Sequence, residues 1–220
     1  MITALLLAGV APAEVPFPSY REELARQRAA EVNQMLERGC AWERLLASFV
    51  CAPGVVDAAV ASVDAFQDTL FHDAGLEYLA GLAYRYADDD ARALRRYKAA
   101  LALDPESVEA WYDLGEIELS AGRLDRAEQA FTEVANRRTR GPNAWVGPWR
   151  LAEVAAFRHD PVAFEEHIET ALERGFTFRQ IAALPNWRTF YADPALRDTL
   201  DKMLTVYADP DVRESLESTP

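Results

Sequence analysis

Three histidines, His72, His159 and His167, and two cysteines, Cys40 and Cys51, are the residues of this 220-residue chain suited to metal binding, proton transfer or nucleophilic attack. Their spacing argues against all three. His72 adjoins Asp73, and His159 adjoins Asp160 with His167 further on, but Asp160-Pro161 breaks the helix between the last two. Ligands on one helical face need offsets of about three or four residues. Cys51 sits among Phe49, Val50 and Ala52, with no neighbouring base or cation to lower its pKa. Asp88-Asp89-Asp90 lacks the alternating ligands, central Gly and closing Glu of a calcium loop, and reads as the end of one helix and the cap of the next. No Gly-rich phosphate loop, His-Glu-x-x-His or Gly-x-Ser-x-Gly occurs. The expectation is a chain that is not an enzyme and needs no metal or cofactor.

The stretch from Cys40 to Cys51 reads as one short helix carrying Trp42, Leu45, Leu46, Phe49 and Val50 on one face. Such a helix holds its ends about 16 Å apart, whereas a disulfide needs Cα atoms within about 7 Å. A bridge therefore requires the helix to stop early or Cys40 to fold back, and the expectation is an unbridged pair. That sits awkwardly with the N-terminus. Ile2 to Val10 is uncharged and apolar and is followed by Ala11-Pro12-Ala13, the form of a secretory signal with its cleavage site, although no Lys or Arg precedes Arg21. Residues 1–13 are read as a possible signal peptide and the product as exported, periplasmic or secreted; without cleavage it is cytoplasmic.

Composition narrows the partners. Lys and Arg number 23 against 36 Asp and Glu, a formal charge of −13, which repels phosphate and makes nucleic acid and anionic membranes poor partners. The basic groups Arg92, Arg95, Arg96 and Arg137, Arg138, Arg140 then read as partners of neighbouring carboxylates. Half the residues are apolar, and Gly and Pro together number 22, so the chain is globular rather than disordered. No window outside the N-terminus approaches the roughly 20 apolar residues of a membrane span.

The positioning elements are helices. Ser19-Tyr20-Arg21-Glu22 has the form of a capping box, and Leu24, Val32, Met35 and Leu36 recur at helical spacing up to Gly39. Val56, Ala59, Val60, Val63, Phe66 and Leu70 form a second stripe, and helical segments punctuated by Asp104-Pro105, Gly122, Gly141-Pro142 and Asp160-Pro161 follow. No alternating stretch argues for a strand, and the Ser, Thr and Pro beyond Val212 suggest fraying. The pattern also repeats. Tyr78 and Tyr112, Gly81 and Gly115, Ala93 and Ala127, and Tyr97 and Phe131 each stand 34 residues apart. Small residues at a close helix crossing and a ring beside it make an antiparallel helix pair the repeating unit.

These residues resemble the tetratricopeptide repeat family. Trp111-Tyr112-Asp113-Leu114-Gly115 is similar to the family's Trp-x-x-Leu-Gly opening and Ala127 with Phe131 to its second helix, while Ala93, Tyr97, Ala100 and Pro105 are the matching points one repeat earlier. The resemblance implies an all-α α-solenoid of antiparallel helix pairs. A possible signal peptide at 1–13 precedes an N-terminal capping helix at 14–39; helical repeats occupy 40–178, and a C-terminal cap with an irregular Ala183 to Trp187 stretch occupies 179–220. Within the repeats, 74–107 and 108–141 are well formed; 40–73, with Ala47, Gly54 and Ala59 in register, and 145–178 are degenerate.

In the family the first helix of each pair lines a concave groove. That implies a partner-binding surface of Tyr78, Leu82, Arg85, Tyr112, Asp113, Glu116, Trp149, Arg150 and Glu153, where rings serve as anchors and Arg grips carboxylates, unless the rings only pack between helices. The acidic residues argue against the mode in which some family members hold a partner's C-terminal carboxylate. The expected function is non-enzymatic binding of an extended peptide or helix of a partner protein bearing a basic segment. The alternative is a structural or assembly subunit using its convex face or its cap, where Trp187, Phe190 and Tyr191 lie.

Overall fold

The computed structural model describes residues 19–43, 48–180 and 185–217. Helix α1 (Tyr20–Gly39) leads into a two-stranded antiparallel hairpin, β1 (Cys40–Glu43) and β2 (Ser48–Cys51). Helices α2 (Val55–Thr69), α3 (Ala74–Tyr86), α4 (Asp90–Leu103), α5 (Val108–Ser120), α6 (Leu124–Arg137), α7 (Val146–Phe157) and α8 (Pro161–Glu173) follow. A 3-10 turn at Phe178–Gln180 then precedes α9 (Pro185–Ala192), α10 (Pro194–Tyr207) and α11 (Pro210–Glu217). The expected signal segment, Ala47 and the stretch 181–184 lie outside the described residues.

Six of the described helices begin where a side chain satisfies orphan amides. Ser19 and Glu22 form the expected capping box, with Ser19 N–H donating to Glu22 Oε2 at 2.7 Å and Glu22 N–H to Ser19 Oγ at 3.2 Å. Asp73, Asp89, Ser107, Asp160 and Asp193 cap α3, α4, α5, α8 and α10. The first helix of each pair ends in one recurring turn. The amides of Asp89, Arg123 and Asp160 donate to the carbonyls of Tyr84, Glu118 and Ala155 at 2.9, 2.9 and 3.0 Å, and the residue before each has positive φ: Asp88 at 55°, Gly122 at 70° and His159 at 57°. Gly54, with φ 80°, stands 34 residues before Asp88 and enters α2. Of the acidic triplet, Asp88 thus makes the turn and Asp89 the cap, as expected.

The 34-residue offsets become ring-on-helix contacts. A Cβ on Gly81 would stand 2.5 Å from the Tyr97 ring and one on Gly115 would stand 2.6 Å from the Phe131 ring, so α3 packs on α4 and α5 on α6 at a distance only glycine permits. Tyr97 and Phe131 are fully buried. Gly147 extends the close approach to the next pair, where a Cβ would meet the Ala135 backbone at 2.6 Å. Helices α7 and α8 pack as a further pair, and their core continues through Phe176, Phe178, Trp187, Phe190, Leu196, Leu200 and Met203 into the C-terminal helices.

Several expectations are overturned. Cys40–Glu43 and Ser48–Cys51 pair as antiparallel strands rather than lying on one helix, and Cys40 and Cys51 face each other in their register with Cα atoms 3.9 Å apart, joined by a disulfide. The fold-back that a bridge requires is therefore what occurs. It also revises the degenerate unit at 40–73: α2 keeps the place of a second helix, but the helix packed beside it is α1, which the hairpin separates from it in sequence. At the other end the chain beyond Val212 continues as helix to Glu217. The rings Trp187, Phe190 and Tyr191 are buried in the C-terminal core, so they offer no apolar patch on the cap surface.

Candidate functional site

Helices α3, α5 and α7 stand one repeat apart, so residues at neighbouring repeat positions meet across them. The Tyr78 hydroxyl on α3 donates to Asp113 Oδ2 on α5 at 2.9 Å, and Arg150 on α7 donates to the Tyr112 hydroxyl on α5 from Nη2 at 3.1 Å and Nε at 3.3 Å. Behind these contacts the Tyr78 ring lies 5.7 Å from that of Tyr97 and the Tyr112 ring 6.0 Å from that of Phe131, a second pair of interactions related by 34 residues. Seven of the nine groove residues, from Tyr78, Leu82 and Arg85 to Tyr112, Asp113, Glu116 and Arg150, are partly accessible on this common face.

Two are not accessible. Trp149 and Glu153 are buried: the indole packs beside Trp145 and the C-terminal core, and the carboxylate is ion-paired with Arg150. They are enclosed because α8 and the C-terminal cap pack over α7, which the spacing of first helices does not register. Arg150 also differs from its expected role. Its guanidinium is ion-paired with both Glu116 and Glu153 and lies 4.4 Å from the centre of the Trp149 ring, so it is committed within the protein rather than free to grip a partner's carboxylate. Arg85 is likewise paired with Asp90.

Carboxylates crowd this face. Burial pushes Asp113 and Glu153 above the ordinary carboxylate range, with Tyr78 opposing the rise at Asp113 and Arg150 opposing it at Glu153. Burial raises Glu116 further, to about 7, against the pull of Arg150. The Glu116 side chain keeps a quarter of its surface exposed, but its Oε1 is enclosed without a hydrogen-bond partner, which is where the desolvation falls. The folded state therefore holds the Glu116 proton more tightly than the unfolded chain. Its contribution favours folding below the unfolded pKa and is lost as pH rises through about 7. Urea unfolding at pH 5 and pH 8 is expected to show wild type losing more stability at the higher pH than Glu116→Gln; equal losses would show that Glu116 ionises freely.

The hairpin adds a feature that helical spacing did not anticipate. Phe49 stacks on Tyr86 of α3 with ring centres 3.9 Å apart, and Trp42 meets Phe49 edge-on at 5.3 Å, walling one end of the face. Paired cysteines flanking aromatic residues were the only signal for it. The histidines are dispersed: His72 Nδ1 lies 3.0 Å from Gln67 Oε1, His159 pairs with the α10 cap Asp193, and burial lowers the pKa of His167. Among the described residues no group of three His, Cys, Asp or Glu side chains is placed to hold a metal ion, and no helix is long and apolar enough to cross a membrane.

Comparison with known proteins bears on this arrangement. No curated protein matches the chain. The sequence model of the tetratricopeptide repeat matches residues 78–144. Among solved structures, the chain is similar to the MamA protein, at 19% identity over 76% of this chain and 82% of that one, with a TM-score of 0.50. It is also similar to the nearly identical TPR-like repeats of a putative kinesin light chain from Podosopora anserina, at 13% identity over 88% and 92%, with a TM-score of 0.54. TTC0263, a thermophilic TPR protein of Thermus thermophilus, is similar at 16% identity over 88% and 97%, with a TM-score of 0.50. At these identities the likeness is one of fold. The helix pairs of residues 78–144 are tetratricopeptide repeats, and the chain takes the all-α solenoid fold of that family.

Proposed function

We propose that this protein is a non-enzymatic interaction module that holds an extended peptide or a helix of a partner protein on the face shared by α3, α5 and α7, and that the partner segment is basic. The observation that carries this reading is the imbalance of charge on that face. Asp113 and Glu116 are accessible there with Glu153 buried behind them, and of the two arginines on the face Arg150 is shared between Glu116 and Glu153 while Arg85 is paired with Asp90. Beside them, a cavity of about 600 Å³ between α5 and α7 is bordered by Glu116, Leu119, Leu124, Arg150 and the exposed Phe157, offering apolar anchorage next to an under-compensated carboxylate. A partner Lys or Arg would add a second cation beside carboxylates that now share Arg150. The acidic face also steers such a partner and makes binding weaken as salt rises. The Cys40–Cys51 bridge supports an oxidising compartment for this work, in keeping with the export expected from the apolar N-terminal run.

The three rings Tyr78, Tyr112 and Trp149 are poor test positions, since they pack or hydrogen-bond within the fold. Glu116→Gln with Phe157→Ser changes the face while sparing those contacts. Peptides selected from a random displayed library on the wild-type chain are expected to be enriched in Lys and Arg, to bind the double variant at least tenfold more weakly, and to lose affinity between 50 and 300 mM salt. Selected peptides without basic residues, or with equal affinity for both proteins, would overturn the reading.

A further inference from the structure

We propose that the disulfide-closed hairpin and α3 form a pocket for one cationic side chain, a lysine or arginine, of the bound partner segment. The inference deepens the interaction reading above, since it places one recognition position of that partner, and it stands on a separate part of the face. The cavity has a volume of about 280 Å³, below the roughly 300–1,000 Å³ of pockets that enclose a drug-sized ligand. It suits a single long side chain.

The walls and floor differ in chemistry. Trp42, Phe49 and Tyr86 supply aromatic surface on the hairpin side and Leu82 an aliphatic one, while Asp88 and Asp113 supply carboxylates. Arg85 also borders the cavity, but its charge is matched by Asp90, so the remaining local charge is negative. On the floor, the buried Tyr97 hydroxyl lies beside Asp113 and interacts with its carboxylate, which also accepts from Tyr78 through Oδ2. An anion entering here would meet two carboxylates. A purely apolar side chain would fill the volume and leave the polar floor unmatched, at the cost that buried unpaired groups carry. A cation on an alkyl stem satisfies both parts, its stem against Leu82 and the rings and its head toward Asp113, with cation–π attraction from the aromatic wall.

The disulfide makes this wall possible. It ties the two strands at Cys40 and Cys51, and the Cys51 sulfur lies 3.8 Å from the Tyr86 carbonyl oxygen, directly beside the ring on which Phe49 stacks. Opening the bridge frees a short hairpin that has only two strands to hold it, a marginal structure alone in water. Occupancy of the pocket is therefore tied to the oxidised state.

The test is an NMR titration of the full chain with acetyl-Gly-Lys-Gly-amide, its Arg counterpart and its neutral norleucine counterpart. The cationic peptides are expected to shift the Trp42 indole N–H and the Ser48 and Phe49 amides saturably, and the comparison of Lys with Arg identifies the preferred head group. Asp113→Asn is expected to weaken this binding at least tenfold, and Trp42→Ala, a change at an exposed ring, to abolish it. The Cys40→Ser/Cys51→Ser variant is expected to lose it while keeping its helical circular dichroism. Phe157→Ser, an uncharged change beside the α5–α7 cavity and away from the residues lining this pocket, should leave it unchanged, which separates failure of this pocket from failure of the wider groove. Equal binding of the norleucine peptide, or no saturable shift at the hairpin with any of the three, would overturn the proposal.

Discussion

Truncating Arg150 to alanine is expected to lower the unfolding free energy by about 3–5 kcal/mol, among the largest effects available to a single side chain here. The reason lies in what it leaves behind. Arg150 is ion-paired with Glu116 and Glu153, donates to the Tyr112 hydroxyl and covers the Trp149 ring, so its loss strands two carboxylates, one of them fully enclosed on α7. An exposed ion pair would contribute under about 1 kcal/mol, because water replaces the lost partner. The side chain of Arg150 is only 14% exposed, and water has little access to do so. Arg150→Met, which keeps most of the volume and removes the charge, is expected to be nearly as harmful. Combining it with Glu116→Gln and Glu153→Gln should recover most of the loss, because no ionised group is then left uncompensated. Urea titration measures the totals, and hydrogen exchange should place the weakening in α5 to α8, where stacked repeats touch only their neighbours. A loss below about 1 kcal/mol for Arg150→Ala would mean that the cluster is solvated and that burial is not what governs it.

The second large effect concerns the ring at the centre of a repeat. Phe131 is fully enclosed, and its removal in Phe131→Ala is expected to cost about 3–5 kcal/mol through lost burial and the cavity left behind. Gly115→Ala on the facing helix should cost about 1–3 kcal/mol, since its new Cβ would stand 2.6 Å from the ring and either α5 or the ring must move. The two changes are not independent. In the Phe131→Ala background the space beside Gly115 is vacant, and alanine is the better helix former by up to about 1 kcal/mol. There Gly115→Ala should stabilise rather than destabilise. This reversal of sign, read from denaturation of the four proteins of the cycle, isolates the helix–ring contact from general damage to the core. Destabilisation by Gly115→Ala in both backgrounds would place its origin elsewhere.

That contact is also where the chain was most legible as a string of letters. Gly81 with Tyr97, Gly115 with Phe131 and the paired tyrosines announce themselves at a 34-residue offset because a solenoid repeat packs only on itself and its neighbours, so its whole environment is written within one period. The capping box at Ser19 and the Asp89 cap were readable for a related reason: each satisfies amides within three residues of itself. The fold and the shared face of α3, α5 and α7 followed from such short-range rules.

The ends of the solenoid obeyed other rules. Trp42, Leu45, Leu46, Phe49 and Val50 carry a helical stripe, yet the segment's described residues are strands, because folding Cys40 back onto Cys51 and laying Phe49 on Tyr86 draws on α3, which lies well beyond the hairpin in sequence. Trp149 and Arg150 occupy groove positions by count, but the cap built from residues beyond 175 buries the first, and carboxylates from two helices claim the second. Periodicity stated which residues share a face. Which of them remain open to a partner depended on what packs over that face, and those contacts join parts of the chain too far apart in sequence for any local spacing to record.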